Sequence, residues 1–397
     1  MADGKIVIET GLSTEGIEKG IGKISSLAKT GLKTATAAIA GVSTALLGAG
    51  GFAVKAGSDF EESMSQVAAT MGMTTEEIAG GSKAFETLEN AAKDAGATTK
   101  FSATEAGQAL NYLALAGYDA QTAADALPAV LNLAAAGGLD LAYASDLATD
   151  AMSALGIEAS QENLTKFGDE MAKTASKANT SVGQLGEAIL TVGGTAKGLA
   201  GGTNELNATL GVLANRGIKG SEGGTALRNV ILSLTAPTDV AAKKIKELGL
   251  EVYDAEGNMR PLNETFKDLD SKLGNMTEGQ KTQVLNEIFN KVDLKSVQAL
   301  LAGCGDEFDN LSTEIANSSG AMQNMADVQI DNLKGQMTIL GSSLEGLGIQ
   351  IYEELEESLK EAASEGTDAV GRLSDALKSG GLEGAVEEAG SIIADLA

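Results

Sequence analysis

The chain has 397 residues, with 63 Ala and 50 Gly against 3 Pro, 5 Tyr, 8 Phe and no Trp. An Ala-rich apolar fraction gains little transfer free energy per residue, so its core must bring backbones close together, as helix pairs do. This inventory argues against β-sandwiches and barrels, and a net charge of −26 makes specific nucleic-acid binding unexpected. The absence of His removes Ser-His-Asp and Cys-His catalysis and imidazole zinc sites. Cys304 stands alone, so it has no disulfide partner in the chain and no imidazole to activate it. It reads as a packing residue.

Residues 1–57 are the basic part, with six Lys against four acidic residues. Met1 to Gly20 is too polar for a secretory signal peptide. Lys5-Ile6-Val7-Ile8-Glu9 alternates as a short strand does. Ile17, Ile21, Ile24, Ala28 and Leu32 then mark an amphipathic helix. From Thr34 to Val54 runs an uncharged stretch of 21 residues, bounded by Lys33 and Lys55 and long enough to span a bilayer. It holds seven Ala, four Gly and six large hydrophobes, with small residues at Ala37/Gly41, Ala45/Ala49 and Ala49/Ala53. That spacing suits close helix packing or conditional membrane insertion better than a constitutive anchor. Gly48-Ala49-Gly50-Gly51-Phe52-Ala53 is a glycine-rich helix or hinge rather than a dinucleotide loop, because no strand precedes it.

Between Thr74 and about Asn317 one phrase recurs: a capping residue, about a dozen helical residues, then Gly. Capping boxes fit Thr74…Glu77, Ser102…Glu105, Ser181…Gln184 and Thr277…Gln280. Left-handed stops fit Gly117, Gly137-Gly138, Gly156, Gly217, Gly249 and Gly274. Helices joined by such short turns make antiparallel hairpins. One interruption is expected, a small β-hairpin. Its arms are Leu250-Glu251-Val252-Tyr253 and Asn258-Met259-Arg260, around Asp254-Ala255-Glu256-Gly257. Asp254, Glu256 and Asn258 alternate like calcium ligands, but no glutamate stands at the twelfth position, so an ordinary turn is expected. A shift of 79 residues superposes Ser102 on Ser181, Gly107 on Gly186, Leu127 on Leu206, Leu131 on Leu210 and Leu155 on Leu234. Residues 102–157 and 181–236 thus read as a duplicated helical unit.

The last part, 318–397, is acidic, with twelve acidic against three basic residues over 353–397. Leu340, Leu344, Leu347 and Ile351 keep heptad steps, as do Leu382, Val386, Ala389, Ile393 and Leu396. These are seams of helices that associate side by side. Gly341, Gly346, Gly348 and Gly380-Gly381 interrupt them. The adjacent acids Glu61-Glu62, Glu76-Glu77 and Glu353-Glu354 point to different helix faces, which suits solvation rather than acid–base catalysis. No catalytic, cofactor-binding or metal-binding residue is assigned. The residues describe an all-α protein in three parts: 1–57, a core of 58–317, and 318–397. Its expected form is an elongated helical hairpin bundle with one small β-hairpin, flanked by extended or coiled-coil-like helices.

Gly57-Ser58-Asp59-Phe60-Glu61-Glu62-Ser63-Met64-Ser65-Gln66-Val67 resembles the opening of the core of phage tail tape measure proteins of the lactococcal-siphophage type. So does Ala95-Gly96-Ala97-Thr98-Thr99-Lys100-Phe101-Ser102-Ala103-Thr104-Glu105-Ala106. Ile218-Lys219-Gly220-Ser221-Glu222-Gly223-Gly224-Thr225-Ala226-Leu227-Arg228 and Leu333-Lys334-Gly335 follow in the same order. The resemblance covers about 58–350. It implies a structural virion protein, with no enzymatic activity and no cofactor, that fills the tail tube lumen. It further implies that the protein sets tail length during assembly and is released to aid genome ejection. The implied partners are the tail tube protein, tail assembly chaperones and distal tail or baseplate hub proteins. Self-association into a small parallel oligomer and host membrane contact through Thr34 to Val54 are implied as well. The implied location is the virion tail, with the host cytoplasm during assembly and the host membrane on ejection. The resemblance implies relatives that are usually much longer than this chain, whose 397 residues span at most about 600 Å as continuous helix. The rival reading is a helical membrane-perturbing or pore-forming protein. It shares the Ala/Gly run but needs neither the duplication nor these motifs. The missing His opposes a hydrolase carried on a helical spacer.

Overall fold

A computed structural model describes residues 49–395, and the structural statements below concern those residues. The strand expected at Lys5 to Glu9, the stripe from Ile17 to Leu32 and most of Thr34 to Val54 lie outside them.

The described chain is helical nearly throughout, with no strand. Its helices are α1 Ala49–Thr70, α2 Thr75–Ala79, α3 Lys83–Thr98, α4 Ala103–Leu115, α5 Ala120–Gly137 and α6 Leu141–Leu155. There follow α7 Gln161–Lys177, α8 Val182–Val192, a 3-10 turn Gly193–Gly198, α9 Gly202–Asn215, α10 Gly220–Thr235 and α11 Asp239–Leu248. The rest are α12 Leu262–Leu273, α13 Glu278–Gly303, α14 Asp306–Ala316, α15 Ala321–Ile330, α16 Leu333–Glu353 and α17 Glu356–Asp395.

Local chemistry sets most boundaries. Thr74, Ser102 and Thr277 close full capping boxes with Glu77, Glu105 and Gln280. Asp119, Asp140, Ser160 and Thr238 cap by accepting amide N–H groups of the first turn. Each such cap contributes about 1 kcal/mol. Ser181 makes only half of its expected box. It accepts the Gln184 amide at 3.2 Å, while the Gln184 side chain takes the Thr180 hydroxyl instead. Gly138, Gly156 and Gly249 end their helices left-handed, at φ 60°, 67° and 62°. Gly274 does not stop α12 that way. Its φ is −53°, and its N–H bonds the Ser271 carbonyl, so the last turn tightens instead of reversing.

The expected hairpin reduces to a single antiparallel bridge between Tyr253 and Met259. The Asp254 carboxylate accepts the amides of Glu256 and Asn258 at 3.0 and 2.7 Å and draws the turn tight. Too few cross-links remain for strands to develop.

The helices fall into two compact units, residues Met1–Glu62 with Ser343–Ala397, and residues Ser63–Ser342. In the second unit α8 and α10 meet backbone to backbone, since a Cβ on Gly224 would stand 2.2 Å from the Ala188 carbonyl oxygen. Leu110, Leu127, Leu147, Phe167, Met171 and Phe289 fill its interior among many buried alanines. The α15 helix lies on α5 and α7.

The first unit corrects two expectations about the acidic end. The α16 helix runs unbroken through Gly341, Gly346 and Gly348, so those glycines do not interrupt its seam. Packing at Gly348, whose Cβ position faces Ala56 at 2.9 Å, overrides the propensity cost. Within α17, Arg372 reaches Glu388 at 2.6 Å and Ser391 at 3.3 Å. Sixteen residues of straight helix would hold Arg372 and Glu388 about 24 Å apart, so the chain reverses between them rather than extending. Most of the second seam, Leu382 to Leu396, lies outside the described side chains.

Candidate functional site

The residues weighed for chemistry occupy structural positions. Cys304 donates its thiol to the Leu301 carbonyl at 3.0 Å, and burial pushes the thiol pKa up, away from the reactive thiolate. Beside it a cavity of about 10 Å³, lined by Val212, Leu262, Phe266, Leu300 and Phe308, has room for roughly one water and no substrate. Glu62, Glu76, Glu353 and Glu354 are exposed, and Glu77 is spent on its capping box. Among the described residues no group of His, Cys, Asp or Glu is placed to hold a metal ion.

Buried acids form the polar interior of the second unit. Asp169 accepts the amides of Gly320 and Met322 at 2.8 and 2.9 Å, seating the N-terminal end of α15. Glu205 accepts the amides of Gly201 and Leu262. Burial raises the pKa of Glu205 and does the same at Glu170, where a Thr203 hydrogen bond and Lys166 oppose it. One Glu170 oxygen and the Asn207 carbonyl oxygen are buried without a hydrogen-bond partner.

In the first unit, Tyr352 donates its hydroxyl to Glu61 at 2.6 Å, and Lys360 bridges Glu61 and Glu356. Burial pushes the Glu61 carboxyl up, but its bonds to Lys360 and Tyr352 win and hold it below the usual carboxylate range. Its bonds to Glu356 and Glu61 raise the Lys360 pKa.

The α16 helix carries two faces. Gly335, Ser342 and Ile349, at steps of seven, are buried. On the other side Leu333, Met337, Leu340 and Leu344 are exposed at steps of four, three and four. That outward stripe is a heptad seam, with Leu333 and Leu340 at d and Met337 and Leu344 at a. Its flanking positions, Lys334, Gln336, Gly341 and Ser343, bring a single charge.

Residues 89–290, just over half of the chain, match the model of a family described as phage-related minor tail protein. The chain belongs to that family. It is 34% identical over 318 residues to the tape measure protein of Pneumococcus phage Dp-1, covering 80% of this chain and 27% of that protein. It is 26% identical over 344 residues to a probable tape measure protein of Escherichia phage P2, covering 85% of this chain and 41% of the relative. A probable tape measure protein of Clostridium phage phiCD119 is 24% identical over 419 residues, covering 98% of this chain and 40% of the relative. The chain thus spans about a quarter to two fifths of the length of these relatives. No solved structure matches it.

The family's motif stretches become intelligible as packing. A Cβ on Gly96 would stand 2.6 Å from the Ala103 amide nitrogen, and one on Gly335 would stand 2.1 Å from the Ile330 carbonyl oxygen. Gly107 admits the Ser63 hydroxyl, which donates to the Thr104 carbonyl at 3.1 Å. At Gly96 and Gly335 backbone meets backbone, while Gly107, just past the second motif stretch, makes room for a side chain. Among the described residues no single helix is long and apolar enough to cross a membrane. The α5 and α6 helices pass that test only as a pair bent by 118°.

Sequence reasoning missed Tyr352, Asp169 and Glu170. The apolar spacing of Leu164, Phe167 and Met171 places Glu170 beside the buried stripe, whereas Asp169 falls on the opposite face and is buried only because α15 packs over it. For Tyr352 no local signal exists.

Proposed function

We propose that this chain is a core segment of a tape measure: a structural, non-enzymatic protein that occupies the tail tube lumen during assembly. Its length would contribute to tail length, and its release would accompany genome ejection. The observation that carries the reading is the outward seam of α16. A heptad face turned away from its own fold, with almost no flanking charge, suits side-by-side copies in parallel register. The extensive identity to tape measure proteins supports the same role. Tail tube subunits, assembly chaperones and distal tail or hub proteins are the partners this role requires. The order α4, α5, α6 recurs as α8, α9, α10, and we read it as a duplicated unit that folds as a whole. Each of the two compact units would then open as the chain takes up an elongated arrangement in the tube.

The ruler is tested by deleting residues 364–391 in the phage. Twenty-eight residues make four heptads, and as extended helix they contribute roughly 40 Å. Tails shorter by that amount in electron micrographs support the reading, whereas wild-type tails would remove this region from the ruler. Deletions within 102–236 should abolish tails. The Thr34 to Val54 run is assigned host membrane contact, because its 21 uncharged residues match a bilayer's thickness. Replacing Leu46 and Leu47 by Asp should abolish liposome flotation of the released chain, and unchanged flotation would leave only a packing role.

A further inference from the structure

The α13 helix is two helical stretches that meet at Asn290, φ 69° and ψ 160°. Among the described residues it is the one non-glycine with positive φ. Such a backbone persists only where neighbours over-determine it. They do so here. Phe289 is fully buried and stacked on Phe266 of α12, with ring centroids 6.1 Å apart. Beyond the kink, Asp293 accepts the Asn229 amide at 2.9 Å and Lys295 pairs with Glu222 at 2.8 Å, both partners on α10. Between the two anchors Val292 is thrown out to 87% exposure.

The sequence of α13 carries no breaker at this point. It has neither Pro nor Gly between Gly279 and Gly303, and Asn is an ordinary helix residue. At about 100° per residue, an unbroken helix places Val292 within about 60° of Phe289. That is the face of Leu285, Ser296 and Leu300, all buried. The apolar stripe is therefore continuous through Asn290, and only the kink expels Val292.

We propose that α13 is a two-state element, kinked at Asn290 in the compact core and continuous once the Asp293–Asn229 and Lys295–Glu222 pairs break. With Phe289 still seated on Phe266, straightening relieves Asn290 and returns Val292 to the apolar face. The continuous form of 26 residues is about 39 Å long. The purpose of such a change rests on the tape reading, since a chain in a tube must extend. The change itself is measured on the isolated chain, so its failure and that of the ruler are separate results.

The test is a spin-label distance in the full chain carrying Cys304→Ser, with labels at the exposed positions Thr282 and Gln298. A continuous helix separates these positions by about 24 Å, and the kinked form holds them closer. Asn290→Ala, which tolerates positive φ less well than Asn, should shift the population toward the longer distance. Asn290→Gly should keep the shorter distance and raise the melting temperature. Val292→Asp added to Asn290→Ala should restore the shorter distance, and alone it should leave the melting temperature unchanged. An Asn290→Ala chain with the wild-type distance overturns the proposal, as does a Val292→Asp change that leaves the Asn290→Ala population unmoved. Should Asn290→Ala not fold, Asn290→Gly decides: a melting temperature no higher than wild type refutes the strained hinge.

Discussion

The ring of Tyr352 occupies the space that any side chain at residue 57 would need. A Cβ on Gly57 would stand 1.9 Å from the Tyr352 Cγ. One turn further along α1, Glu61 accepts the hydroxyl of the same residue. Burial, then the Glu61 bond, pushes the phenol up to about 12. Both ends of Tyr352 are therefore held by one helix.

Gly57→Ala should destabilise the first unit, because the base of a ring cannot swing aside as a chain end does. Overpacking of this kind costs about 1–3 kcal/mol. Gly279→Ala meets open space in the first turn of α13 and should be neutral or stabilising by about 0.5–1 kcal/mol. Urea denaturation of the two variants compares them, and equal midpoints would show that the ring yields.

Stability should fall as pH rises above the ordinary carboxylate range. Burial raises the Glu170 pKa in the folded chain, so the fold binds protons more tightly than the unfolded chain. The resulting stabilisation is complete below the unfolded pKa and is lost as pH rises through the folded one. Glu170→Gln removes this contribution, and the remaining slope includes Glu205, whose pKa is also raised by burial. Melting temperatures measured across that range should slope less in Glu170→Gln than in wild type. Parallel slopes would mean that Glu170 ionises as it does in water.

Asp169→Asn should loosen α15 selectively. The variant leaves an amide where a carboxylate receives two backbone N–H groups, and hydrogen bonds to a charged group contribute about 1.5–3 kcal/mol. Gly168→Ala attacks the same seat by steric means, since its Cβ would stand 2.3 Å from the Met322 sulfur. Hydrogen exchange should quicken across Ala321–Ile330 in both variants while α8 and α10 stay protected. Uniform exchange changes would show that α15 unfolds only with the whole unit.

The outward seam of α16 separates association from folding. Leu340→Asp with Leu344→Asp should lower the oligomeric state in analytical ultracentrifugation without lowering the melting temperature, since both side chains are exposed. Ile349→Asp buries a charge on the inward face and should unfold the first unit. An unchanged sedimentation profile for the seam variant would remove the parallel oligomer from the proposed assembly.

Helix content and the helix starts at Thr74, Ser102, Ser181 and Thr277 were legible in the sequence because a cap joins residues only three positions apart. Ser102 with Glu105 and Thr277 with Gln280 carry their geometry in their spacing, and Gly138 or Gly249 can turn left-handed wherever they stand. The exceptions share a cause. At Ser181 a neighbouring hydroxyl competes for Gln184, at Gly274 a tighter turn ends the helix, and at Tyr253 one bridge stands where two strands were expected. The reversal within α17, the kink at Asn290 and the seat of Tyr352 on Gly57 depend on partners far along the chain or outside the local pattern. Spacing within a helix determines which residues share a face. Which face turns inward is decided only when helices pack, because Ala and Gly contacts gain energy through close backbone approach that no local pattern records. The sequence by itself thus determined an all-α chain and one apolar seam of α16, from Leu340 to Ile351, and the tertiary structure decided that Leu340 and Leu344 stay exposed while Leu347 and Ile351 are half-buried.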